Sequence, residues 1–272
     1  MKFFRAPVCG PSVLLFLAPF FAHATLLSRE PLTLDAVLHK ISIVVAITAA
    51  VLILFLTIVA LCVRNQSETM KKILFISLLV AIVLPTIFFI GSTMYSNSIS
   101  DTKGPVHWHA DFEIYACGQP IRLSGPASSL SNKVGTPTFH HHDDNRMHVE
   151  GVVIHREDFE LQDFFATIGG ELTNTSFSLP TESGIRELRN GDFCADSSTG
   201  AWQVFVYRQD IQNPSVFRQE KLASYTDYIL SPHQKIPPGD CIIIEFDVNK
   251  ARTEHLCTFY TIEAEKGAIS IK

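Results

Sequence analysis

Val106-His-Trp-His-Ala-Asp-Phe-Glu-Ile-Tyr-Ala116 alternates without a break. Val106, Trp108, Ala110, Phe112, Ile114 and Ala116 fall on one side, and His107, His109, Asp111, Glu113 and Tyr115 on the other. Successive side chains of a strand point to opposite faces, so this period of two predicts a β-strand with one face in a core and one polar face. Gly118-Gln119-Pro120 follows as a turn, with 121–123 as a returning arm. Residues 125–138 are rich in Ser, Gly and Pro and read as loop. Further strands are expected at 148–154, 175–179, 202–207, 227–230, 241–246 and 257–262, bounded by turns such as Pro237-Pro238-Gly239-Asp240. Phe159, Leu161, Phe164, Phe165 and Ile168 recur at helical spacing and end at Gly169-Gly170, which predicts a helix over 158–168. A mainly β (α+β) domain over 105–272 follows. Its succession of helix, 202–207, Tyr228-Ile-Leu and Gly239-Asp-Cys-Ile-Ile-Ile resembles the end of a β-grasp fold, so the C-terminal half is expected to be β-grasp-like.

Everything before this domain has a different composition. Residues 41–63 and 73–95 are each 23 residues without a charge, the length a helix needs to cross hydrocarbon, so two transmembrane helices are expected. Pro85 is compatible with the second. The connector 64–72 carries Arg64, Lys71 and Lys72 against Glu68, and short basic loops stay in the cytoplasm. Both outer ends of the pair then lie outside. At the start, Lys2 and Arg5, an apolar run over 13–21 and Ala22-His23-Ala24 have the order of a secretory signal cut after Ala24. The expected layout is a signal peptide at 1–24, an extracytoplasmic segment at 25–40, spans at 41–63 and 73–95 around a cytoplasmic loop at 64–72, a tether at 96–104 and the outer domain. The localisation is a cell membrane, multi-pass, with the C-terminal domain extracytoplasmic.

After Ser100 there are 15 basic and 24 acidic residues, a net of −9. Such a domain repels phosphate backbones, which argues against nucleic acid as a partner. Cys9 falls in the signal and Cys62 ends a span, leaving Cys117, Cys194, Cys241 and Cys257 outside. An even set in an oxidising compartment suggests two disulfides, of three possible connectivities. Cys241 with Cys257 and Cys117 with Cys194 is the preferred pairing, because a hairpin would set 241 opposite 257.

Nine of eleven histidines follow Ser100, and six of these occupy two short stretches: His107 and His109, then His140, His141, His142 and His148. His107 and His109 share a strand face. If 140–142 is extended, His140 and His142 share one too, and so do His148 and Glu150. Neutral imidazole is a common ligand for copper and zinc, and four ligands complete a site. The candidate metal ligands are therefore His107, His109, His140, His142, His148 and Glu150, provided that the strands carrying them are neighbours. Asp143 and Asp144 are either ligands or turn residues. His155, His233 and His255 stand alone and read as structural.

His107-x-His109-x-x-x-Glu113 resembles the centre of the first cupin motif, but Gly104 stands too close and no second motif follows. Paired spans before an outer β domain resemble subunit two of cytochrome oxidase, whose copper-binding cysteine pair is absent. Gly104-Pro-Val-His-Trp-His-Ala-Asp-Phe-Glu113, Asp144-Asn-Arg-Met-His-Val-Glu-Gly151, Asp163-Phe-Phe165 and Pro238-Gly-Asp-Cys-Ile-Ile-Ile-Glu-Phe246 are similar to the recurring features of a bacterial family of membrane-anchored proteins with an extracytoplasmic His-rich domain. That family has no established reaction, so the resemblance implies the layout alone. Three functions follow: an envelope protein binding copper or zinc, a metal-dependent enzyme with Glu113 or Glu150 as general base, or a metal-free interaction domain. No Ser-His-Asp arrangement or phosphate-cradling glycine loop is apparent.

Overall fold

The computed structural model describes residues 34–63, 66–127 and 131–272. The signal segment expected at 1–24, the start of the segment after it, and Arg64 of the basic connector lie outside the described residues. The chain divides into two units, 1–94 and 95–272.

The first unit holds helix α1, Leu34–Cys62, and most of helix α2, Glu68–Ile99. Both are long and apolar enough to cross a membrane. Their large apolar side chains, among them Val44, Phe55, Leu61, Phe75, Leu84 and Ile87, are exposed on all sides. A soluble helix of this length would bury such a face.

The second unit is mainly β. Strand β1, Pro105–Ala116, realises the alternation of its sequence: Trp108, Ala110, Phe112, Ile114 and Ala116 are all buried in one core. It continues through β2 (Gln119–Ile121), β3 (Val134–Gly135), β4 (Phe139–His141) and β5 (Arg146–Val152). A 3-10 turn, Arg156–Phe159, and helix α3, Leu161–Thr167, replace the single helix expected over 158–168. The break falls at Glu160, which starts α3 with a capping box to Asp163. Then come β6 (Glu171–Leu172), β7 (Ser176–Thr181), β8 (Gly184–Arg189), β9 (Ala201–Gln209), β10 (Val216–Lys221) and β11 (Asp240–Asp247). Helix α4, Thr258–Glu265, and β12, Ser270–Ile271, end the chain.

Nine strands form one sheet in the order β12-β10-β9-β11-β1-β5-β4-β3, with β2 also on β1. Strands β6, β7 and β8 form a second, smaller sheet. In the large sheet β1 runs parallel to β11 and antiparallel to β5, while β11 is antiparallel to β9. The four middle strands, β5-β1-β11-β9, thus have a β-grasp strand order. This order draws β1 and β5 from the first half of the domain, whereas the sequence pointed to the C-terminal half.

Strands β9 and β11 are buried on both faces, as central strands covered on each side must be. One face carries the main core, where α3 and the small sheet supply Phe164, Phe165, Phe177 and Leu179. Under the other face Phe205, Tyr207, Phe217, Cys241, Ile243, Cys257 and Tyr260 form a second cluster. Two expected strands are absent. Residues 227–230 contribute only a bridge between Ile229 and Glu160, and 257–262 begin α4, whose start is fixed from outside: the Glu113 carboxylate accepts the Thr258 amide and hydroxyl, both at 2.8 Å. A carboxylate at the positive end of a helix is favourable.

Two disulfides tie the domain, Cys117–Cys194 and Cys241–Cys257, as preferred from sequence. The first spans 77 residues, a closure that by chain entropy contributes on the order of 4 kcal/mol. It joins the end of β1 to the loop before β9.

Candidate metal centre

Strands β1, β5 and β4 lie side by side, and their register brings the histidines together. His109 pairs with His148, His148 pairs with His140, and His107 pairs with Glu150. Directly opposed residues on neighbouring strands have Cβ atoms about 5 Å apart, within side-chain reach. Three imidazoles thus form a row across three strands, with His107 and Glu150 in the row beside it. His142, just past β4, turns back over the row: its ring centroid is 4.9 Å from that of His140 and 4.7 Å from that of His148.

Six candidate ligands are therefore brought together, in two overlapping groups. His140, His142, His148 and Glu150 each offer a ligand atom within 4.8 Å of the others, and so do His107, His109 and His148. Both groups could hold a metal ion. A third grouping, Asp101, His155 and Glu157, was not anticipated; all three residues are exposed, and the Asp101 carboxylate already accepts the Arg156 amide at 3.0 Å.

His140 is the most telling member. It is 0% exposed, yet neither ring nitrogen has a hydrogen-bond partner among the described residues. Its Nε2 lies 3.8 Å from Glu150 Oε2. Burial pushes its pKa down to about 4, helped by the Lys133 charge, so it is a neutral imidazole with a free lone pair near pH 7. Burial also lowers His109 and His141. His148 is buried as well, and its Nδ1 has no partner among the described residues.

The surroundings select which nitrogen points inward. His109 Nδ1 donates to the Gln234 carbonyl at 2.9 Å, and His142 Nδ1 donates to the Asn132 carbonyl, which leaves Nε2 unprotonated on each, that of His109 facing His107 Nε2. His148 Nε2 lies 3.2 Å from Asp144 Oδ2, so its proton goes to that carboxylate and Nδ1 is left as donor atom. Burial works to raise Asp144, but the hydrogen bond from His148 and those from backbone amides outweigh it and bring the group down to about 2. Carbonyl or carboxylate partners on the far nitrogen are a regular feature of ligating histidines.

Asp144 is therefore a support for His148. Asp143 is a turn residue in the left-handed region (φ 65°), and its amide donates to His141 Nδ1 at 3.1 Å. His141 faces the other way, toward Phe164 of α3. Of the isolated histidines, His255 stacks on Tyr115 with centroids 3.6 Å apart, and the His233 carbonyl accepts the His109 amide. Glu113, weighed as a general base, is committed to the start of α4 and to the Tyr115 hydroxyl. Beside the cluster, on the same face of β1, a cleft of about 350 Å³ is lined by Asp111, Arg122, Asp144, Arg146 and Phe259 among others.

No family model, curated protein or solved structure matches this chain. The chemistry of the site therefore rests on its own residues.

Gly135 ties the histidines to the sheet edge. It pairs with His140 at a φ of +118°, and an added Cβ would stand 2.5 Å from the Phe139 carbonyl and 3.0 Å from His140 Cα. Gly135→Ala is expected to cost about 1–3 kcal/mol through backbone strain and, by shifting His140, to weaken any hold of the cluster on a metal ion. Urea unfolding and zinc titration of the same sample check both effects.

Proposed function

We propose that this chain is a membrane-anchored protein, of the His-rich family that its motifs resemble, whose extracytoplasmic domain binds a copper or zinc ion through His140, His142, His148 and Glu150. One observation carries the reading: a wholly buried histidine with no hydrogen-bond partner among the described residues faces three further ligand groups. A buried polar group without a partner is costly, and an ion supplies the missing bond. Three imidazoles and a carboxylate suit zinc or copper(II) better than magnesium or calcium, which prefer oxygen. The two apolar helices support the anchor, the basic residues of the connector support the sidedness, and two disulfides fit an oxidising compartment.

The test is metal analysis of the full chain in detergent, as wild type and as His142→Ala, a ligand less buried than His140. Wild type is expected to retain at least one equivalent of zinc or copper through dialysis, and the variant to bind at this position at least ~100-fold more weakly, the upper end of what the loss of even a supporting group costs a metal site. Equal retention in two samples with the same circular dichroism would remove His142 and the reading with it.

A further inference from the structure

The four ligands just named leave His107 and His109 unused, and these two converge closely. Their Nε2 atoms are 2.9 Å apart, and His107 Nε2 is 3.0 Å from Glu150 Oε1. Because His109 gives its Nδ1 proton to Gln234, its Nε2 presents a lone pair to His107. One proton on His107 Nε2 then faces two acceptors, and a hydrogen bond aligned on one of them leaves the other to solvent. A cation bound at His107 could draw both neighbours in as ligands in place of that proton.

Glu150 links this set to the first. Its Oε1 faces His107, and its Oε2 lies 3.8 Å from His140 Nε2 on the other side. We infer that Glu150 is a bridging carboxylate in a two-metal centre, with one ion held by His140, His142, His148 and Oε2, and a second held by His107, His109 and Oε1. His148 lies near both groups, but its Nε2 is taken by Asp144, so it has one nitrogen to give and serves the first ion.

The two positions differ in kind. Four protein ligands close the first, and His140 and His148 are buried beneath it. Two imidazoles and one carboxylate oxygen leave coordination positions open at the second, a set that suits a first-row transition ion carrying water or an oxygen-donor anion. The His107 side chain is 56% exposed, so the second ion is reached from solvent. Metal pairs that share such ligands stand roughly 3.5–4 Å apart and can clamp one oxygen ligand between them.

This inference rests on the reading of the first group as a metal site, and one experiment separates the two. The full chain in detergent is stripped with chelator and titrated with copper(II), as wild type, as His107→Ala/His109→Ala and as Glu150→Gln. The expected result is two equivalents in wild type and one in the double variant. The paramagnetic resonance signal of loaded wild type should fall well below that of two isolated ions, because the carboxylate couples them. The signal of the double variant should be that of one isolated ion, and Glu150→Gln should lose the coupling. One equivalent in both wild type and double variant overturns the second position and leaves the first reading standing. Two equivalents in the double variant overturn the assignment of His107 and His109. No copper bound by wild type overturns both readings.

Discussion

His140→Leu is expected to make the metal-free protein more stable and to abolish metal binding at the first of the two positions, the one that His140 serves. Two opposite effects come from one side chain. Without an ion, His140 buries two polar atoms that have no partner among the described residues. Each such atom costs about 1–3 kcal/mol, while an apolar group of similar size is neutral or favourable in its place. Leu fills most of the imidazole volume and leaves Phe139 and His141, its neighbours on β4, in their places. The variant should therefore unfold about 1–3 kcal/mol higher than wild type in chelator. With zinc at 1,000 times the dissociation constant of that position, wild type gains about 4 kcal/mol from it by mass action and the variant gains nothing there. The order of stabilities should reverse between the two conditions, which urea titrations with and without zinc would read directly. A variant less stable than wild type in chelator would show that His140 is satisfied without an ion.

Phe164→Ala is the second large effect, and it acts from the opposite face of the sheet. Phe164 is fully buried, with ring centroids 5.4 Å from Phe112 of β1, 5.2 Å from Phe139 of β4 and 5.1 Å from Phe165. Truncating such a ring costs about 3–5 kcal/mol, the lost burial plus the cavity left behind. That would consume a large share of the stability of an ordinary domain. The variant should also lose metal affinity although no ligand is touched, because the three-residue β4 is backed by this ring through Phe139 and His141. A loss of stability below about 1 kcal/mol, well short of the usual cost of a truncated buried ring, would mean that α3 does not support β4.

Some of this was legible in the sequence and some was not, for reasons visible in particular residues. The two faces of β1 were readable because its core residues are all apolar and its other face is charged or imidazole up to Tyr115, so period two stands out. The two apolar helices were readable from length alone. Register was not: that His109 faces His148, His148 faces His140 and His107 faces Glu150 depends on backbone pairing between three strands, which leaves no mark on composition. Strand β4 has only three residues, all buried, and shows no alternation. Residues 258–262, Thr-Phe-Tyr-Thr-Ile, favour strand by intrinsic preference, yet they form α4 because Glu113 holds its first turn and Cys257 is tied to Cys241. The role of Glu113 was hidden for the same reason. Its partner, Thr258, lies 145 residues along the chain. Strand β8 was missed because its exposed side chains carry no apolar period, and its pairing with β7 runs through backbone.

The parallel pairing of β1 with β11 bears on the order in which the polypeptide is made. Every candidate ligand of the two overlapping groups lies between residues 107 and 150, so a fragment ending there would contain the full set. The strand that carries the first two is nevertheless laid against residues 240–246, and His109 is bonded through its amide and its ring to residues 233 and 234. Contacts this distant along the chain close late and slowly. Residues 233–246 must therefore be made and folded onto β1 before His107 and His109 are set, more than 120 residues after they leave the ribosome's catalytic centre.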